Sequence, residues 1–194
     1  MIETKDSIRQ QAMARRARMT GTARARAAIK IKKIFLSSMS IRPGSIIAGY
    51  WPIKSEPDIR PLLKELSKRG YRVALPVVIE MALPLAFRLW EDSVTPMRDG
   101  RFGISEPDPE AAPAVIPDVI LVPMLAFDLK GHRLGYGAGF YDRTLAYLKA
   151  FNDPKAVGIS YECQLFDSVL SDEYDRPMNM ILTEECLRNF ERMK

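Results

Sequence analysis

Cysteine and histidine are scarce in this 194-residue sequence, which holds only Cys163, Cys186 and His132. Two cysteines are too few for a disulfide framework or a zinc site, so both read as structural, and a single histidine cannot build a histidine metal cluster. Long apolar runs are missing as well. None approaches the roughly 18–20 residues that a membrane-spanning helix needs, and the charged N-terminus lacks the apolar centre of a secretory signal. A cytosolic protein is expected. Two nucleotide-binding motifs are also absent. No Gly-Lys-Ser/Thr tripeptide occurs, which excludes a P-loop, and the dinucleotide fingerprint fails because Phe140 stands three residues after Gly137, where a glycine is required.

What the sequence does hold is enough apolar content, 47%, to bury one sizeable core, and one compact domain is the expectation. Charge is unevenly spread. Residues 1–33 carry ten Lys or Arg against Glu3 and Asp6, a surplus of eight in a chain of net charge +5, so the remainder is near −3. A basic arm on a slightly acidic body suits nucleic acid, a membrane surface or a phosphorylated ligand, although a solvated helix face accounts for such charges taken singly.

Spacing predicts a helix over 4–18, with Ile8, Ala12 and Met13 as its stripe, and a second over 22–38 on which Ala25, Ala28, Ile29, Lys32 and Leu36 share a face. Thr20-Gly21-Thr22 separates them and supplies a cap. Ser45 to Tyr50 reads as a buried strand. Asp58 reads as the N-cap of a helix with Pro61 in its first turn and Leu62, Leu63 and Leu66 turned inward, ending at Arg69-Gly70. Tyr71 to Leu75 returns as a strand, which makes a βαβ unit and a parallel sheet. Pro76 to Trp90 reads as two extended pieces. Five prolines between Asp92 and Pro117 exclude helix and predict an ordered surface excursion, within which Arg101-Phe102-Gly103-Ile104 could dock against a site. Val119 to Val122, Lys155 to Tyr161 and Met178 to Thr183 read as strands, and Glu184 to Met193 as a closing helix.

The stretch from Asp128 to Arg143, DLKGHRLGYGAGFYDR, is the centre of the sequence. Gly135, Gly137 and Gly139 alternate there, and residues without a Cβ let backbone N–H groups close around a bulky anion. Arg133 and Arg143 could pair with phosphate oxygens, and Asp142 could hold a bridging cation. A plain strand-to-helix turn remains the other reading of the glycines, and an N-terminal helix charge that of Asp142. Ligands of open α/β sheets collect at the carboxyl ends of strands, so Tyr50 to Glu56 and the glycine loop share a rim if their strands are parallel.

Val122 to Arg143 resembles the signature of the 5-formyltetrahydrofolate cyclo-ligase (5,10-methenyltetrahydrofolate synthetase) family, P-x-x-A-F-D-x-x-G-x-R-L-G-x-G-x-G-Y-Y-D-R. The sequence departs at Phe140, where Tyr is common, and at Ala138, where Gly is common, and neither change removes a backbone donor. Lys5-Asp6-Ser7-Ile8-Arg9 resembles the family's ATP-contacting K-x-x-L-R. Tyr50-Trp51-Pro52 with Glu56 resembles its folate-holding segment, and Phe102-Gly103-Ile104 with Glu106-Pro107 its F-G-I-x-E-P. Tyr174-Asp175 and Ile181 to Glu184 are similar to its H-D and I-x-T-E, with Tyr174 in place of the usual His.

The resemblance implies a single-domain α/β three-layer sandwich over 1–194 with a mostly parallel central sheet, Rossmann-like and of the NagB/RpiA/CoA-transferase type, preceded by a basic helical arm over about 1–38. It implies ATP held by Lys5, Arg9 and Arg133 with the stretch Leu134, Gly135, Tyr136, Gly137, Ala138, Gly139, Phe140 and Tyr141. Mg²⁺ would lie on Asp142 and Asp175. The folate would be bound by Tyr50, Trp51, Glu56 and Phe102, and the catalytic residues would be Arg143, Asp142 and Tyr141. The implied reaction is ATP-driven closure of 5-formyltetrahydrofolate, with or without a polyglutamate tail, to 5,10-methenyltetrahydrofolate through a phosphorylated formyl group, in a monomer. Two other readings stay open on the residues alone. An inactive relative could bind RNA through the basic arm and aromatics, though the glycine cradle with Asp142 then has no purpose and no RNA-binding signature appears. A sugar-phosphate isomerase would explain phosphate affinity but not so large a cationic N-terminus.

Overall fold

The computed structural model describes residues 4–190. Two helices open the chain: α1, Lys5–Ala17, and α2, Gly21–Ser38. Thr4 and Ser7 form a reciprocal capping box on α1, and Thr20 caps α2 through Ala23 N–H, so each helix begins where a hydroxyl can satisfy a free donor. A strand β1, Ile46–Ala48, leads to helix α3, Arg60–Lys68, and strand β2, Arg72–Val77. Then come β3, Ala86–Leu89; the hairpin of β4, Met97–Asp99, and β5, Ser105–Pro107; β6, Ala114–Val115; and β7, Val119–Pro123. A second hairpin, β8, Ala126–Phe127, with β9, Arg133–Leu134, precedes helix α4, Phe140–Leu148. Strands β10, Lys155–Ile159, β11, Met180–Leu182, and β12, Leu187–Asn189, complete the chain.

Eight strands form one sheet in the order β12-β11-β10-β7-β1-β2-β3-β6. The five from β11 to β2 are parallel, and antiparallel strands close both edges. Alternation along each strand sorts side chains to two faces. Ile47, Val73, Leu75, Leu121, Val157 and Ile159 pack with Ile31 and Phe35 of α2 and Leu62, Leu63 and Leu66 of α3. Ala48, Ala74, Ile120, Val122, Ala156 and Ile181 pack with Leu145 and Leu148 of α4. The result is a three-layer α/β sandwich. Each fully buried leucine contributes about 1.5–3 kcal/mol, and Leu63→Ala, at the centre of the first face, costs about 2–5 kcal/mol. Helix α1 stands apart from these layers. Its Ile8 and Ala12 pack on Leu125, Ala126 and Leu134 of the β8–β9 hairpin and on Phe166 and Val169.

Four expectations are corrected. The buried stripe of α2 is Ala27, Ala28, Ile31 and Phe35, while Ile29 is exposed; two stripes of equal period were available, and the one carrying Phe35 buries more apolar surface. Met13 of α1 is likewise exposed. The N-cap of α3 is Ile59, with Asp58 one residue earlier accepting from Arg60 N–H at 3.0 Å. Finally, Glu184 to Phe190 form no helix. Thr183 N–H donates to Cys186 O at 3.0 Å, and β12 folds back antiparallel on β11. Leu187 and Phe190 show why: they pack on opposite faces of the sheet, as a strand allows, whereas a helix would put residues three apart on one face. Residues 191–193 of the expected helix lie outside the described residues.

Candidate active site

Strand order reverses between β1 and β7: β2 and β3 continue to one side, β10 and β11 to the other. Such a switch point leaves a crevice at the carboxyl ends of the two strands. A cleft of about 1320 Å³ occupies it, lined by Tyr50 and Trp51 beyond β1, Pro76 and Val78 at the end of β2, Pro123 of β7, and the whole of 133–143. The 50–56 loop and the glycine loop therefore share one rim, and Lys5 and Arg9 of α1, Phe102, Tyr174 and Asp175 border the same space.

One wall is built by the chain between β9 and α4. Arg133 and Leu134 lie buried in β9, Leu134 under α1, so the open part of the loop is Gly135 to Gly139. Gly139 is the N-cap of α4 in the left-handed conformation, φ +68°, and makes no side-chain cap. A Cβ there would lie 2.7 Å from Arg143 Nη1, so any other residue would strain this backbone and push the guanidinium aside. The first-turn N–H groups of α4 thus remain available beside a glycine-rich turn, an arrangement that attracts anions. Cations surround it. Arg9 Nε donates to Gly135 O at 3.0 Å, and Arg143 donates to Ala138 O at 3.0 Å and to Met81 O at 2.8 Å, tying the loop on both sides. Arg133 donates to Asp142 Oδ1 at 2.8 Å, and Arg176 N–H to the same oxygen at 3.0 Å. Lys5 Nζ pairs with Asp172 at 2.7 Å and Asp175 at 2.6 Å; burial opposes its charge, but the two carboxylates outweigh that and raise its pKa.

The opposite wall is drier. Glu56 is only 7% exposed, and its Oε2 accepts from Ile53 N–H at 2.9 Å. Burial pushes its pKa up to about 7, against the pull of that N–H and of Arg16 and Lys54. Tyr50 is buried with its hydroxyl donating to Pro57 O at 2.9 Å. Tyr141 reaches in from α4, where burial, reinforced by the charge of Glu56, raises its hydroxyl well above the ordinary range. Trp51 meets Trp90 edge to face at 6.3 Å and lies under the Arg60 guanidinium.

The structure brings every residue of the expected constellation to the one cleft, and Leu134 also belongs to the core under α1. Phe102 sits differently from the other residues expected to hold the folate. It is 65% exposed, holds a left-handed φ of +62°, and meets Phe140 of α4 edge to face at 6.4 Å, so it leans over the glycine wall. Sequence reasoning missed Asp172, the second partner of Lys5, and Arg16, which is buried behind the two walls. Lys5, Ile8, Arg9, Ala12 and Arg16 fall on one helical stripe, and that spacing was the available signal for Arg16.

Fold and cleft together are those of an open α/β enzyme. The chain matches the 5-formyltetrahydrofolate cyclo-ligase family over residues 1–184, and it belongs to that family. It is 37% identical to the 5-formyltetrahydrofolate cyclo-ligase of Mycolicibacterium smegmatis over 77% of this chain and 78% of that protein. With the Haemophilus influenzae protein of the same name it shares 31% identity over 93% of this chain and 97% of the relative. The Aquifex aeolicus 5,10-methenyltetrahydrofolate synthetase structure superposes with a TM-score of 0.84 at 30% identity, covering 98% of this chain and 94% of that one.

Proposed function

We propose that the protein catalyses the ATP-dependent cyclisation of 5-formyltetrahydrofolate to 5,10-methenyltetrahydrofolate, with release of ADP and phosphate. The observation that carries this reading is the cleft itself: a cationic glycine loop and a buried carboxyl wall face one another across the switch point. The formyl group on N5 is an amide, too poor an electrophile for N10 to displace its oxygen. Its oxygen attacks the γ-phosphorus of ATP and ADP departs. The carbon is now an activated imidate; N10 adds to it, loses its proton, and the phosphate leaves with the former formyl oxygen.

In this scheme the backbone of Gly135 to Gly139 and the free N–H groups of α4 hold the triphosphate, and Lys5, Arg9 and Arg143 neutralise it. Glu56 accepts hydrogen bonds from the pterin, and Trp51 and Tyr141 flank the flat ring. Among the described residues no cluster of three or more His, Cys, Asp or Glu forms a ready metal cage. Asp142 and Asp175 are nonetheless hard oxygen donors at the cleft, a set that suits Mg²⁺ arriving on nucleotide phosphates. When bound there, Mg²⁺ would neutralise developing phosphate charge. We also read the protein as a cytosolic monomer acting on free or polyglutamylated folate; its cysteines are free thiols, in keeping with a reducing compartment.

The RNA-binding alternative finds no support: the family and relatives that match are cyclo-ligases, and the cations of α1, though not all those of α2, are engaged within the fold. Lys5 and Arg9 are held as above, Arg15 donates to Leu165 O at 2.8 Å and lies over Phe166, and Arg16 is buried. The test is direct. Protein, 5-formyltetrahydrofolate and MgATP together should give the near-ultraviolet absorbance of the methenyl product, and omission of ATP or Mg²⁺ should abolish it. Folded protein that gives no rise overturns the reading.

A further inference from the structure

Arg16 heads the fully buried side chains of the described residues by volume, 1% exposed, and it does not line the cleft. It leaves α1 seven residues after Arg9 and passes behind both walls. Its Nε donates to Ser55 Oγ at 2.9 Å, and its Nη2 donates to the Tyr136 hydroxyl at 2.5 Å. Ser55 immediately precedes Glu56, and Tyr136 stands between Gly135 and Gly137. One guanidinium therefore joins the loop that carries the buried carboxyl to the loop that forms the anion cradle. Packing alone does not explain it. Its Nη1 is buried without a partner, and an apolar side chain of similar length would fill the space without stranding a donor or burying a charge. The same charge also favours the ionised form of Glu56.

We propose that Arg16 is a positioning residue that couples the two halves of the cleft, so that nucleotide on the cradle and folate on the 50–56 loop each raise the other's affinity. The proposal rests on the cyclo-ligase reading above. Phosphate closing the cradle fixes Tyr136; Arg16 carries that restraint to Ser55 and so to the backbone that presents Glu56. Linkage makes the effect reciprocal, and for a coupling of ordinary size it is about fivefold or more in each dissociation constant.

The test is calorimetric titration of the full chain with Mg²⁺, a non-hydrolysable ATP analogue and 5-formyltetrahydrofolate, each ligand alone and then in the presence of the other. Two variants are compared with the parent. Arg16→Lys keeps the charge but cannot reach both loops, and Ser55→Ala cuts one arm of the bridge without disturbing α1. The expected result is that each variant binds single ligands within about twofold of the parent while the coupling falls toward one. A merely structural Arg16 would lower the melting temperature and leave the coupling intact, and that overturns the proposal, as does a parent that binds both ligands independently. If Arg16→Lys does not fold, Ser55→Ala alone decides. A parent that binds neither ligand overturns the cyclo-ligase reading itself, and the proposal with it.

Discussion

On the glycine wall of the cleft, Tyr136, Gly137 and Ala138 are exposed, Lys5, Arg9 and Arg143 beside them are half-buried, and each acidic group is already paired. On the other wall Tyr50 and Glu56 are sealed, with one carboxyl and few polar neighbours. The first wall is a switchboard of charges whose partners can be exchanged for phosphate oxygens at little desolvation cost, since water already reaches them. The second keeps a costly group out of water in advance, so it binds little until a ligand supplies the missing donors. Charge binding by exchange and charge binding by desolvation thus face each other, and their responses to mutation, salt and pH should differ.

The largest effect is expected at Asp142, on the exchange wall. Asp142→Asn retains an acceptor for Arg133 and for Arg176 N–H but loses the charge, so turnover should fall by about 10²- to 10³-fold while the melting temperature stays near that of the parent. Steady-state kinetics beside a thermal melt checks both; full activity at ordinary Mg²⁺ removes Asp142 from the mechanism.

Next is Glu56→Gln, on the desolvated wall. Loss of a charged hydrogen-bond acceptor should weaken folate binding by roughly 10- to 100-fold, with nucleotide binding unchanged. The parent's folate affinity should fall below about pH 7, where Glu56 takes up a proton, and folate binding near neutrality should release protons. Stability runs the other way. Glu56's folded-state pKa, about 7, lies above its ordinary 4.5, so its contribution is complete below pH 4.5 and lost as pH rises through 7. The parent should therefore lose up to about 3 kcal/mol relative to Glu56→Gln between pH 5 and 8. Denaturation across that range reads it, and parallel pH profiles would mean that Glu56 is ionised throughout.

Lys5→Ala should raise the KM for ATP by about tenfold, the worth of one charge-assisted contact, and leave that for folate within about twofold; an unchanged ATP dependence detaches α1 from the site. Smallest is Tyr50→Phe. Its hydroxyl is spent on Pro57 O, so the cost should be about 1 kcal/mol of stability with little change in folate KM, as chemical denaturation and kinetics will show. A large rise in KM would place that hydroxyl on the ligand and make the dry wall more polar than described.

The elements with one dominant pattern were legible. The continuous apolar runs of β1, β7 and β10 and the Leu62, Leu63, Leu66 stripe of α3 leave no second arrangement that buries as much, and the alternating glycines pointed to the cradle. Ambiguity arose where two periods fit. In α2 either of two stripes was apolar, and at Leu187 and Phe190 a spacing of three suited a helix as well as the two faces of a strand. Pairing was hidden altogether. Nothing local shows that Lys5 meets Asp172 or that the Tyr50 hydroxyl turns to a backbone carbonyl. Those facts belong to contacts between distant segments, which a linear pattern does not carry.

The pairing of Lys5 with residues 167 and 170 positions away has a consequence for biosynthesis. At about 5–20 residues per second, α1 emerges from the ribosome roughly 10–30 s before its ion-pair partners exist. For that interval Ile8 and Ala12 lack their partners, which lie on the β8–β9 hairpin and at Phe166 and Val169. The cationic side of the cleft is therefore complete only when two segments 170 positions apart have met.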